Sequence, residues 1–207
     1  MNSIASVTLE VADTTAADRF YTAFGPGTGI RLRTSQEPTT GFRGFALSLT
    51  VSRPSVVDGF MGAALDAGAT PLKPAAKSFW GYGGVVRAPD GTIWKVATSE
   101  KKDSGPAPLR FDEMVLLLGC ADVAASKRFY VDRGLTVAKS FGSKYVQFDA
   151  PPGGVKLALY GRRALAKEVG VPADGTGSHR LLLGGAGGAF ADPDGFAWQA
   201  ASPASTP

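Results

Sequence analysis

The chain has 207 residues, 44% of them hydrophobic and 19% charged, which is enough apolar material for an ordinary globular core. No apolar run approaches the roughly 18 residues of a membrane helix, and no basic stretch followed by an apolar run follows Met1, so no signal peptide is expected. The net charge is +4 with a pI of about 9.3, but the basic residues are scattered, so neither nucleic acid nor membrane is expected as a partner. The mild positive excess favours an anionic or neutral ligand over a cationic one. Cys120 is the only cysteine, which excludes an intramolecular disulfide and fits a reducing cytoplasm.

Alternation over Ile4–Val11 predicts a strand, and Thr14–Phe24 a short helix capped by Asp13 and stopped by Gly25. Ile30–Arg33 and Phe45–Val51 read as strands. Pro54–Ala67 reads as a helix ended by Gly68, with Val57, Phe60, Met61, Ala64 and Leu65 at helical spacing. Strands follow near Leu72–Lys77, Gly83–Arg87 and Ile93–Ala97, the last two joined by a Pro89-Asp90-Gly91 turn. Ser99–Leu109, charged and carrying two prolines, reads as a linker. Beyond it come strands near Met114–Leu118, Leu135–Ser140, Tyr145–Phe148 and Lys156–Tyr160, with helices at Val123–Arg133 and Ala164–Val169. Three last strands fall near His179–Leu183, Gly188–Phe190 and Ala197–Ala200, with a second turn at Pro193–Gly195.

The two halves echo each other. VTLEVADTTAADRFY (Val7 to Tyr21) matches VLLLGCADVAASKRFY (Val115 to Tyr130), and APDGTIWKVA (Ala88 to Ala97) matches DPDGFAWQAA (Asp192 to Ala201). Phe20 and Phe129 lie 109 residues apart and Asp90 and Asp194 lie 104 apart, so a unit is duplicated with insertions or deletions between the marks. The expected organisation is a first half over 1–101, a linker over 102–109, a second half over 110–202 and a disordered tail over 203–207. The unit is strand–helix–strand–strand–strand, complete at Phe45–Ala97 and Met114–Tyr160, with partial units at 1–34 and 179–200.

Two glycine-rich segments carry no phosphate site. GPGTG (Gly25 to Gly29) follows a helix instead of preceding one, and GGAGG (Gly184 to Gly188) has no helix after it. Cys120, at an apolar strand end, reads as inert. In SFWGYGGVV (Ser78 to Val86), Phe79, Trp80 and Tyr82 stand among glycines and would either stack on a flat ligand or pack a sheet or subunit interface.

The duplicated Asp-helix-Phe-Tyr opening, the phrase DAGATPLKPA (Asp66 to Ala75) and the two Pro-Asp-Gly turns before Trp94 and Trp198 together resemble the vicinal oxygen chelate superfamily. Its members include glyoxalases, extradiol dioxygenases, fosfomycin-modifying enzymes and bleomycin-binding proteins. The resemblance implies an α+β fold of duplicated βαβββ modules, forming curved mixed sheets with helices outside. It also implies cup-shaped sites and, often, pairing of chains, so a homodimer is expected. Fold does not fix function.

In metal-dependent members the ligands lie on a module's first strand and on the strand after the Asp-Gly turn. Carried over, those positions read Ser6 and Lys95 in the first half, with Ala46 on the strand entering its second unit. In the second half they read Val115 and Gln199, with Arg180 beside His179 on the matching internal strand. A catalytic zinc wants about three His, Cys or carboxylate ligands, and a non-haem iron oxygenase two His and a carboxylate. One histidine, an ammonium at Lys95 and donorless Ala46 and Val115 do not meet either need, so no metal or other cofactor is expected. His179 is either a hydrogen-bonding or basic group at the cup or a strand-end residue satisfied locally. Arg180 is either a clamp for a carboxylate or phosphate or a surface ion-pair partner. Alternation sends Trp94 and Trp198 to the face opposite Lys95 and Gln199, towards the helices.

The leading expectation is a metal-independent protein that binds and sequesters a small aromatic or anionic molecule, with Ser6, Lys95, Arg180, His179, Gln199, Trp80 and Tyr82 as candidate contacts. The alternatives are a glyoxalase- or dioxygenase-type enzyme with an atypical or absent metal site, and an interaction module whose cup is filled by its own side chains.

Overall fold

The computed structural model describes residues 3–25, 29–103, 105 and 108–200. The expected tail at 203–207, residues 104, 106 and 107 of the linker, and residues 26–28 of the first glycine-rich segment lie outside the described residues.

In chain order the elements are β1 (Ser6–Val11), α1 (Thr14–Phe24), β2 (Ile30–Thr34), β3 (Thr39–Gly41), β4 (Phe45–Thr50), α2 (Pro54–Asp66), β5 (Thr70–Ser78), β6 (Gly81–Arg87) and β7 (Ile93–Thr98). Then follow β8 (Glu113–Cys120), α3 (Val123–Asp132), β9 (Val137–Ser140), β10 (Tyr145–Phe148), β11 (Lys156–Gly161), α4 (Arg162–Val169), β12 (Gly175–Gly177), β13 (Leu181–Gly185), β14 (Phe190–Ala191) and β15 (Ala197–Ala200).

The two complete units join into one eight-stranded sheet, ordered β5-β6-β7-β4-β8-β11-β10-β9. The two partial units join into a five-stranded sheet, ordered β14-β15-β13-β1-β2. Each sheet therefore takes strands from both sides of the linker. The seams are antiparallel: β4 on β8, with Ser48 opposite Val115, and β1 on β13, with Ser6 opposite Gly184.

Local chemistry explains the repeated opening. Asp13 and Asp122 hold almost the same extended backbone, and each side chain accepts an amide hydrogen from the first helical turn, Ala16 for the one and Ala124 and Ala125 for the other. Pro54 starts α2 at a position where its missing N–H costs nothing. The Asp103 carboxylate, from the linker, accepts from the Ser55 amide and hydroxyl and so ties the linker to that helix end. Helices α1, α2 and α3 cover one face of the sheets, and the main core lies between, with Trp94 against Tyr21 and Phe24, and Phe24 edge-on to Phe60. Trp94 and Trp198 are both buried there, as alternation requires. Leu65, read as part of the buried stripe of α2, is instead 40% exposed.

The duplication persists only in part in side-chain detail. The Tyr21 hydroxyl donates to Asp90 of its turn at 2.6 Å, whereas the Tyr130 hydroxyl donates at 2.6 Å to Asp192, two residues before Asp194, the equivalent of Asp90. Trp198 Nε1 donates to the Tyr130 oxygen at 3.2 Å, whereas Trp94 Nε1 is buried without a partner. Burial, then the neighbouring carboxylates, push both phenols above their ordinary value.

Two short strands were not legible from pattern. β3 and β12 pair with each other and carry Thr-Thr-Gly and Gly-Thr-Gly, which show no hydrophobic alternation. β13 starts at Leu181, two residues later than the pattern suggests, because Arg180 has φ 56 and breaks the extended run. No helix among the described residues is long and apolar enough to cross a membrane.

Candidate functional site

The concave face of the eight-stranded sheet is set by strand register. Val85 lies beside Lys95, Lys95 beside Ser48, Ser48 opposite Val115, and Val115 beside Lys156, so one row crosses β6, β7, β4, β8 and β11. Side chains in register share a face. The same face carries Ala46 and Leu117, and Ala158 with Gln147, then Tyr160 with Tyr145.

Much of this face is covered by the chain itself. After Gly161 the backbone turns back, and α4 lays Leu165, Ala166 and Val169 onto Ala46, Val85, Ile93, Val115, Leu117 and Ala158. The three helix residues are fully or almost fully buried. The far end of α4 is held by charge. Lys95 pairs with Glu168 of the helix, and Lys73 Nζ donates to the carbonyls of Lys167 and Glu168, at 2.8 and 2.6 Å, where the helix dipole favours a cation. Burial acts to raise the Glu168 pKa, but the hydrogen bond and charge of Lys95, with Lys73 behind it, win and hold the carboxyl below its ordinary value.

The opposite end of the face is more open. Glu113, Lys156 and Tyr160 are only partly buried, Lys156 pairs with Glu113, and the Tyr145 hydroxyl donates to Gln147 at 2.7 Å. Tyr145 and Tyr160 meet edge to face at 4.9 Å, and the exposed ring of Phe141 lies 5.9 Å from Tyr145. Burial, then the neighbouring Tyr160 and Glu113, push the Tyr145 phenol up to about 12; burial and Glu168 raise Tyr160. Both phenols therefore stay protonated at neutral pH and act as hydrogen-bond donors, not bases. A groove of about 310 Å³ opens beside this end, walled by Phe111, Met114, Pro151 and Pro152, with Asp112, Glu113 and Lys156 as its charged groups.

The residues singled out from sequence do not converge. Of the seven candidate contacts, Lys95 alone lies on the eight-stranded concave face, beside the donorless Ala46 and Val115. Ser6 and Gln199 lie in one row of the five-stranded sheet, both in register with Gly184 between them. Ser6 is buried and its hydroxyl leans over Gly184, where any side chain would collide with it. His179 and Arg180 precede β13. The His179 ring stacks on Phe196 at 4.0 Å, with its nitrogens 2.5 Å from the Arg43 carbonyl and 3.1 Å from the Asp194 carbonyl. Arg180 donates to the Ser35 carbonyl, and its Nε is buried without a partner. Tyr82 faces the helix side of the sheet, opposite Lys95, and donates to Asp58 of α2 at 2.7 Å. Trp80 stands on the tip of the β5–β6 hairpin, 82% exposed. The residues that reasoning from sequence missed are Glu113, Tyr145, Gln147, Lys156, Tyr160 and Glu168. The parity of β11 carried a signal, because Lys156 and Tyr160 alternate with buried Leu157 and Leu159. Nothing local shows that α4 folds back over them.

Among the described residues no three His, Cys, Asp or Glu side chains come together as a metal-holding group. On the concave face the donors are Ser48, Gln147, two tyrosines and two carboxylates; Gln147 Oε1 is taken up by Tyr145, and each carboxylate is already paired with a lysine. That donor set does not fit a divalent cation.

No family model and no curated protein matches the sequence. Solved structures do match in fold. Glyoxalase I from Zea mays superposes with a TM-score of 0.59 at 14% identity, covering 95% of this chain and 90% of that one. A candidate dioxygenase from Bacillus subtilis gives a TM-score of 0.55 at 12% identity, covering 88% of this chain and 70% of that one. The chain has the glyoxalase-like fold. Within this glyoxalase-like fold, the concave face where Ala46, Lys95 and Val115 stand is partly filled by α4, so the protein's own side chains occupy space that a ligand would otherwise take.

Proposed function

We propose that this chain is a metal-independent binding protein that holds a small molecule at the open end of its eight-stranded concave face. The observation that carries this reading is the groove of about 310 Å³ ending on the Glu113–Lys156 pair. That volume lies at the small end of the range for ligand sites. Its apolar wall of Phe111, Met114 and prolines suits a flat hydrocarbon surface, and Lys156 suits an anionic end that would displace Glu113. On the concave face the tyrosines stay protonated and Glu113 and Glu168 are tied to lysines, which supports binding over turnover there, although the groove also presents Asp112, which has no ion-pair partner among the described residues.

The test is titration with anilinonaphthalene sulfonate, an aromatic anion, alongside a thermal-shift panel of aromatic carboxylates. Binding should survive a chelator, and Lys156→Met should weaken it about tenfold, as expected for losing one charged hydrogen bond. Equal binding by Lys156→Met would refute the site, and loss of binding on chelation would refute the metal-free reading.

A second reading, an interaction module, is favoured by α4, which already buries Leu165, Ala166 and Val169 in the cup. A panel in which no compound raises the melting temperature would favour it over the first.

A further inference from the structure

The groove beside the open end of the concave face holds one carboxylate more than it can pair. Its charged groups are Asp112, Glu113 and Lys156, and Lys156 is taken by Glu113. Lys156 reaches Glu113 from the neighbouring strand: it stands beside Val115 in the β8–β11 register, and Glu113 lies two residues before Val115 on β8. The two side chains are 27% and 42% exposed, so the pair is partly solvated and weakly held. Asp112 precedes β8, where its amide donates to the Thr50 carbonyl at 2.8 Å. Its side chain is exposed and has no ion-pair partner among the described residues. Arg110, the cation nearest to it in sequence, is exposed, does not wall the groove and pairs with neither acid.

We propose that the groove takes a free aromatic α-amino acid, with its carboxylate on Lys156, its ammonium on Glu113 and Asp112, and its ring against Phe111, Met114 and the prolines. This rests on the groove being the ligand site and names the class of ligand. An anion that takes Lys156 releases Glu113. The ligand's anion, Glu113 and the adjacent Asp112 then share one ammonium, and like charges this close oppose each other. A ligand that carries a cation next to its anion removes the conflict, because Glu113 exchanges one ammonium for another. An α-amino acid bears both groups on one carbon, and that short spacing suits Lys156 and Glu113, which are in contact in the free protein. A simple cation gains less: Lys156 stays on Glu113, and only the solvated Asp112 is left to receive it. A small polar amino acid would leave the wall of Phe111, Met114, Pro151 and Pro152 uncovered.

Isothermal titration with phenylalanine, 3-phenylpropanoate and 2-phenylethylamine separates the two charges on one ring and chain. Phenylalanine should bind about tenfold tighter than either of the others, the size expected for one charged hydrogen bond. The advantage should shrink at high salt. Asp112→Asn changes an exposed side chain and should keep the circular dichroism and melting temperature. It should remove most of the advantage of phenylalanine while 3-phenylpropanoate binds at least as tightly as to the wild type. Lys156→Met should weaken phenylalanine and 3-phenylpropanoate but not 2-phenylethylamine. Equal binding of 3-phenylpropanoate and phenylalanine overturns the proposal and leaves an anion-binding groove standing. A match between 2-phenylethylamine and phenylalanine, or a preference for phenylalanine undiminished by Asp112→Asn, overturns it as well. So does binding by none of the three, and the groove itself then stands or falls with anilinonaphthalene sulfonate, so the two readings fail separately.

Discussion

Replacing Leu165 by alanine tests whether α4 is a built-in part of the core or a loose cover. An eight-residue helix is marginal alone, so α4 persists through what it buries. Leu165 is fully buried on the concave face, against a floor that includes Ala46, Leu117 and Ala158. The substitution removes three carbons, worth about 2.4 kcal/mol at roughly 0.8 per methylene, and leaves a cavity whose lining relaxes only in part. The expected loss is about 3 kcal/mol, which for a chain of this length lowers the melting temperature by about 6–12 °C. Urea unfolding followed by circular dichroism measures it, with an unchanged slope required so that the shift reports stability. Glu168→Ala is the control: that pair is partly exposed at both ends and should cost no more than about 1 kcal/mol. A loss below about 1 kcal/mol for Leu165→Ala would mean that the helix is not seated in the cup, and the reasoning about a self-filled site would fall with it.

The two tyrosine–aspartate pairs should differ in weight. Tyr130→Phe strands both Asp192 and Trp198 Nε1 in the core and should cost about 2 kcal/mol or more in urea unfolding, whereas Tyr21→Phe, against half-buried Asp90, should cost about 1; equal losses would refute the asymmetry. For Lys95→Met the pH dependence is signed. The Glu168 carboxyl is held below its ordinary value in the folded state, so the pair's contribution is fully present above that ordinary value and is lost as pH falls through the lowered one. Wild type and variant should thus converge in stability in acid and differ by at most about 1 kcal/mol at neutral pH. Burial raises the Cys120 thiol well above its ordinary value, so a disulfide-exchange reagent at mildly alkaline pH should label it only on unfolding; rapid labelling of the native protein would contradict its burial.

Helix and strand positions were legible because they rest on local chemistry. Asp13 and Asp122 cap, Gly25 and Gly170 stop helices in the left-handed conformation, and alternation puts Trp94 and Trp198 towards the helices. The duplication, and with it the fold, was legible for the same reason, since each copy repeats those local signals. The site was not. Ser6 and Gln199 were grouped with Lys95 by analogy of position, yet the partial units pair with each other and carry Ser6 and Gln199 to a separate sheet. Tyr82 and Lys95 sit on neighbouring strands but face opposite ways, because Tyr82 belongs to the row of Thr98 and Lys95 to the row of Val85.

The sequence by itself determined the repeated unit, its caps and turns, the helix-facing parity of Trp94 and Trp198, and the shortage of metal donors. Only the tertiary structure decided which units share a sheet, that α4 folds back so that Glu168 meets Lys95 across 73 residues, and that Lys101 lies over the exposed Phe79 ring. The physical reason is range. Capping, turn geometry and alternation act within a few residues, whereas a cup is filled by whichever distant segment buries the most apolar surface there.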